Sequence, residues 1–263
     1  MAWVERGDGV RLYWEERGAG PGLLLTQSYI QHPDVMTPLA DQLAQDHRLV
    51  RYDARGSGES TPSGPYDMDT DVADMLAVAE AAGPLAATLA NGDAANRAVH
   101  AAAERPDLIP IVVSLETLPL VSVDAGDTDA LVGSGGVLTA LIGLMRNDYR
   151  AGMRAAIERG TPDMTDDELH ERIDRTVAYI PHEAGLGRLE AWVRDEPGDD
   201  ALALRDRLVL AYEGAGAWFT AELHERARAF IPDARFERLA GGAISRPELT
   251  AAVVRDLTGA ARA

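Results

Sequence analysis

The chain has no cysteine and no lysine, and only 5% of its 263 residues are aromatic. Without Cys there is no disulfide framework, no thiolate metal ligand and no Cys nucleophile. Without Lys there is neither a Schiff-base amine nor a phosphate loop of the Walker kind. The basic residues are all Arg, 25 against 43 acidic residues, for a net charge of −18. So acidic a chain lacks the basic footprint that nucleic acid or an anionic membrane surface requires, and neither is expected as a partner. No stretch approaches the ~20 uninterrupted apolar residues of a membrane span, and the N-terminal MAWVERGDGVRLYW is charged where a signal peptide would be apolar. The expectation is a soluble, cytoplasmic protein acting on a small-molecule substrate, with no oligomeric state specified. No His-x-His or His-x₃-His pair is present, so no metal is expected. Gly56-Ser57-Gly58 follows a strand but opens a loop rather than a helix, so no dinucleotide cofactor is expected either.

What is present is apolar content of 46%, enough for one sizeable core and most economically one domain with an insertion. Trp3 to Arg6 and Val10 to Glu16 alternate around Gly7-Asp8-Gly9, a hairpin signal. Gly22 to Leu25 reads as a buried strand, Val35 to Gln45 as a helix, and His47 to Tyr52 as a further strand that runs into YDARGSGES, Tyr52 to Ser60. Asp69 to Ala82 is amphipathic, capped by Asp69 or Thr70. Leu85 to Leu89 is a short apolar strand followed by a turn and an alanine-rich helix that Pro106 ends, with Arg97, Glu104 and Arg105 on one side. Ile111 to Leu115 is a β-branched run ending in Glu116. From Leu120 to about Asp200 no strand pattern appears, and Leu131 to Met145, Tyr149 to Arg159, Asp166 to Tyr179 and Leu186 to Val193 read as helices. Arg207 to Tyr212 and Arg235 to Leu239 are strands, with helices over Ala221 to Phe230 and Pro247 to Leu257.

The strand–turn–helix at Leu85 to Pro106, together with YDARGSGES, resembles the alpha/beta-hydrolase family. The resemblance implies a mostly parallel eight-stranded sheet with helices on both faces and a helical cap inserted after the sixth strand. It divides the chain into a first core part, 1–119, a cap, 120–200, and a second core part, 201–263. It also implies a nucleophile in the turn, in the pattern small-x-nucleophile-x-small. Two registers fit. With Ala90, Ala94 and Ala95 in the small positions Gly92 takes the nucleophile position; with Asn91 and Ala95 it is Asp93. Gly92 is favoured because that position is held at positive φ, which glycine adopts freely. The family's triad acid then falls on Ala217 and its His on Ala243, while Thr26-Gln27 replaces the His-Gly of the oxyanion loop. Asp53 and Arg55 keep a mainly structural role.

Three replaced triad positions imply that Ser-His-Asp chemistry has been abandoned. The leading expectation is a non-hydrolytic enzyme, a cyclase, lyase or isomerase, that positions a small apolar substrate beneath the cap and moves a proton with a carboxylate or His. The alternatives are an Asp-nucleophile hydrolase with a relocated His, of the epoxide-hydrolase or dehalogenase kind, and a catalytically dead ligand-binding fold. The candidate catalytic residues are Asp93, Glu116 and His32. Gln27, Tyr29, Gly92, His182 and Trp218 are candidate substrate contacts. Asp93 also has a purely structural reading as a helix N-terminal carboxylate, and Glu116 as a solvated loop residue. His47, His100, His170 and His224 read as structural or solvated.

Overall fold

The computed structural model describes residues 2–117, 137–213, 221–242 and 244–259. Eight strands form one sheet in the order β1-β2-β4-β3-β5-β6-β7-β8. They are β1 (Ala2–Glu5), β2 (Arg11–Arg17), β3 (Gly22–Thr26), β4 (Arg48–Tyr52), β5 (Ala87–Asn91), β6 (Val112–Leu115), β7 (Leu208–Tyr212) and β8 (Arg235–Arg238). The β1–β2 and β2–β4 pairs are antiparallel and all later pairs parallel. This is the expected eight-stranded, mostly parallel sheet. β3, β5, β6 and β7 are buried along their whole length, as parallel strands covered on both faces must be, which is why they read as plain apolar runs.

Alternation along each strand feeds two cores. Leu24, Val50, Ala90, Val112 and Leu210 point to one face, against α2 (Met68–Ala82) and α3 (Ala94–Glu104). Leu23, Leu25, Leu49, Leu89, Val113 and Val209 point to the other, against α1 (Thr37–Leu43) and the C-terminal helix (Pro247–Thr258). On α3 the residues Ala94, Ala95, Ala98, Ala101 and Ala102 are completely buried; such small side chains let the helix lie close on the sheet.

Between β6 and β7 the structure describes five helices: α4 (Val137–Asn147), α5 (Tyr149–Gly160), α6 (Asp166–Tyr179), α7 (His182–Val193) and α8 (Gly198–Leu204). The last is a helix the sequence reading lacks. Leu141, Met145, Met153, Ala156 and Leu189 pack among themselves and onto Tyr29.

Some boundaries move for local reasons. β5 starts two residues later than expected, in register with β3 through Leu23↔Ala87 and Thr26↔Ala90. The cap of α2 is Asp67, whose extended backbone lets its carboxylate accept the Thr70 N–H at 2.8 Å. Residues 33–36 form a 3₁₀ turn before α1 rather than its first turn.

Candidate active site

The chain leaves β5 through Asn91, turns at Gly92 and enters α3. Gly92 has φ +64, so the apex of the turn is the position that demands a left-handed backbone. Asp93 follows at φ −56, ψ −22. A Cβ at position 92 would lie 2.8 Å from the Cβ and 3.2 Å from the Oγ of Ser28. The space in front of the turn is therefore filled by a serine from the loop after β3.

Asp93 does not cap its helix. Its Oδ1 accepts the Tyr29 N–H at 3.1 Å, the neighbouring Ser28 hydroxyl favours its charged form, and Oδ2 lies 4.0 Å from Arg97 Nη2. Burial pushes the carboxyl up to about 6, against the pull of Arg97 and of the hydrogen bonds from Ser28 and Tyr29. An aspartate in that range exchanges its proton near neutrality.

Above this turn lies a cavity of ≈20 Å³, lined by Gln27, Ser28, Tyr29, Arg97, Tyr179 and Arg188 among others; that volume admits about one water-sized group. Arg97 reaches it from α3 and Arg188 from α7, and each is only 3% exposed. Arg97 was expected on the charged side of its helix. It is instead turned inward, where its Nη2 donates to the Gln27 carbonyl at 2.7 Å and its Nη1 to Asp71 at 3.3 Å. Arg188 donates from Nε to both oxygens of Asp71, at 3.1 and 3.0 Å, and from Nη2 to the Arg55 carbonyl. Tyr179, at the end of α6, donates its hydroxyl to Asp53 Oδ1, and burial raises both groups above their usual ranges. Much of the apolar surface of the helices between β6 and β7 packs among itself and onto Tyr29, while Tyr179, Ile180 and Arg188 line the cavity from this side.

Of the residues singled out from the sequence, the structure brings Gln27, Tyr29, Gly92 and Asp93 together. Glu116 stands apart at the end of β6, at φ +54, where Oε2 accepts the Glu213 N–H at 3.1 Å and ties β6 to β7. His32 pairs with Asp34 at 3.1 Å and meets the edge of the Tyr179 ring at 5.1 Å, one ring removed from the cavity; burial lowers its pKa. His182 opens α7 and stacks on Tyr149 at 5.0 Å. Trp218, Ala217 and Ala243 lie outside the described residues. Sequence reasoning missed Ser28, Arg188 and Tyr179, and gave Arg97 to the wrong face; the Asp93–Arg97 spacing of four was the available signal. Among the described residues no group of His, Asp and Glu is arranged to hold a metal, and no helix is long and apolar enough to cross a membrane.

Arg55 is 1% exposed and grips Asp74 through Nε at 2.7 Å and Nη2 at 2.9 Å, with Nη1 on Asp8 at 2.6 Å. This fastens the YDARGSGES turn to α2 and to the β1–β2 hairpin.

No protein-family model matches the chain. It is 30% identical over 213 residues to a 2-(acetamidomethylene)succinate hydrolase of Mesorhizobium japonicum, an alignment spanning 77% of this chain and 70% of that one. The chain belongs to the alpha/beta-hydrolase family. Solved structures agree on the fold. The crystal structure of E-2-(acetamidomethylene)succinate hydrolase superposes with a TM-score of 0.72 at 18% identity, over 98% of both chains. An esterase from Exiguobacterium antarcticum superposes with a TM-score of 0.81 at 14% identity, over 98% of this chain and 99% of that one. In the alpha/beta-hydrolase fold the nucleophile elbow is a sharp turn between a strand and the following helix, the position that the β5–α3 turn holds here.

Proposed function

We propose that this member of the family is a non-hydrolytic enzyme, a cyclase, lyase or isomerase, in which residues 120–200 roof a small-molecule site between the core parts 1–119 and 201–263. One observation carries the reading: the elbow presents Gly92, which has no side chain, while the adjoining Asp93 is buried with a pKa of about 6. The triad is degenerate in this reading, with Gly92, Ala217 and Ala243 in its three positions. Among the described residues, His32, His47 and His100 pair with Asp34, Asp46 and the Asp195–Asp200 couple rather than with the elbow. An imidazole to activate water is therefore missing from the described part of the site, and Asp93 acts as the acid or base through the Ser28 hydroxyl that lines the cavity. Acid–base help of this kind supplies roughly 10²–10⁴-fold, enough for proton-transfer chemistry on a positioned substrate.

The test is conversion of candidate metabolites in ¹⁸O-labelled water, followed by mass spectrometry. The reading expects products isomeric with the substrate, or formed by loss of a fragment without ¹⁸O uptake, and loss of turnover in Asp93→Asn. Hydrolytic incorporation of ¹⁸O, or full activity in Asp93→Asn, overturns it.

One observation favours a second reading. Ser28 Oγ stands beside the place of the missing elbow side chain and is near enough to Asp93 to favour its charged form, a nucleophile beside a base as in a relocated hydrolase centre, in line with the hydrolases this chain is similar to. A fluorophosphonate adduct on Ser28, absent in Asp93→Asn, would establish it.

A further inference from the structure

We propose that the cavity between the elbow and the cap is a carboxylate site, in which Arg97 and Arg188 hold the acid group of a small anionic substrate.

The lining carries the argument. The protein has 43 acidic residues against 25 basic ones, yet the residues around this cavity include two arginines and no Asp or Glu. Both guanidinium groups are almost fully withdrawn from water, with side-chain exposures of 3% for Arg97 and 2% for Arg188. They draw on one carboxylate between them, Asp71, which is itself 7% exposed. The other nearby acid, Asp93, lies 4.0 Å from Arg97 Nη2, beyond hydrogen-bond distance. Arg55 adds no spare acid, because Asp74 is taken up by Arg55 and Arg6. Asp71 is thus the one carboxylate that both guanidinium groups hydrogen-bond directly, and a further acid group entering the cavity would meet two buried cations that share it.

The hydrogen-bond inventory agrees. Arg188 Nη1 and Arg97 Nε are buried and have no acceptor among the described residues, although a buried guanidinium donor ordinarily has one. Other donors of the two side chains bond Asp71 and the carbonyls of Gln27 and Arg55. That anchoring holds the planar groups in place, and anchored guanidinium planes suit a planar carboxylate, which accepts paired N–H bonds. The volume of ≈20 Å³ takes one group of about water size, such as a single carboxylate oxygen. Gln27, Ser28 and Tyr29 on the same wall place the bound acid group beside the Asp93–Ser28 pair. This inference rests on the acid–base reading for the reaction that follows binding, but not for binding itself.

The experiment is thermal shift and calorimetric titration of the full chain with acetate, succinate, succinamide and inorganic phosphate at pH 7. Ligands that bind only the folded state raise its melting temperature. Acetate or succinate is expected to stabilise the protein, succinamide is not, and phosphate less than succinate. Arg188→Met, which leaves Asp71 paired with Arg97, is expected to weaken succinate binding by about tenfold or more. Arg188→Lys keeps the charge and serves as the second variant should Arg188→Met not fold; it too is expected to weaken binding. Equal shifts with succinamide, tighter binding of phosphate, unchanged affinity in the Arg188 variants, or no carboxylate binding overturns the proposal. Asp93→Asn separates the two readings. It is expected to retain succinate binding, so loss of catalysis with binding intact tests the acid–base assignment alone.

Discussion

Ser28 stands where a side chain at position 92 would have to go: a Cβ there would lie 2.8 Å from the Ser28 Cβ. The glycine at the elbow and the serine facing it are one packing solution, so a catalytic serine cannot be restored by a single substitution. Gly92→Ser is expected to cost about 2–4 kcal/mol, through positive-φ strain and overpacking, and to give no esterase activity. The double variant Gly92→Ser with Ser28→Gly relieves the contact and is expected to recover part of that loss. Urea unfolding and turnover of a chromogenic ester measure both effects.

Asp93 makes stability depend on acid pH in an unusual direction. Its folded pKa of about 6 lies above the ordinary value of 3.8, so in this window the folded state binds more protons than the unfolded one. Its contribution is fully present below pH 3.8 and is lost as pH rises through 6. That loss is about 3 kcal/mol. Asp93→Asn, compared with the parent by denaturant unfolding from pH 4 to 8, is expected to remove this slope and to be the more stable of the two at the upper end.

His100 behaves in the opposite pH range. Its two nitrogens meet Asp200 at 2.6 Å and Asp195 at 3.1 Å, and although burial opposes the charge, these two carboxylates raise its pKa to about 9. The contribution is therefore full below the ordinary 6.5 and disappears as pH rises through 9. With the ring partly open to solvent, about 1–2 kcal/mol is expected. His100→Gln should flatten the melting temperature between pH 7 and 10.

Tyr179→Phe removes the hydroxyl that Asp53 accepts and leaves a half-buried carboxylate with fewer donors. A loss of about 1–3 kcal/mol is expected, together with a rise in the Asp53 pKa, readable by carboxyl-region NMR.

Removing Arg55 should be costlier. It leaves Asp74 buried with Arg6 alone, and Arg55→Met is expected to lose about 3–5 kcal/mol, measured by urea unfolding.

The frame was legible because its signals are local. Leu23-Leu24-Leu25 and Val112-Val113 are apolar on both sides, as central parallel strands must be, and Gly92 sits where only positive φ closes the turn. The site was legible only in part. Arg97 and Arg188 look like ordinary surface arginines, and only a carboxylate reached from a distant helix, Asp71 on α2, explains their burial. Periodicity assigns a charged residue to a wet face and has no term for such a partner. Ser28 escapes notice for a similar reason: its importance comes from the side chain that Gly92, distant in sequence, does not carry.

The pairing of Arg188 with Asp71 ties α7 to α2 far from water. Swinging that helix away would strip two opposite charges of each other at once, so heat or denaturant should dismantle roof and sheet in a single transition. Traffic in and out of the cavity must then use segments that carry neither Arg188 nor Tyr179.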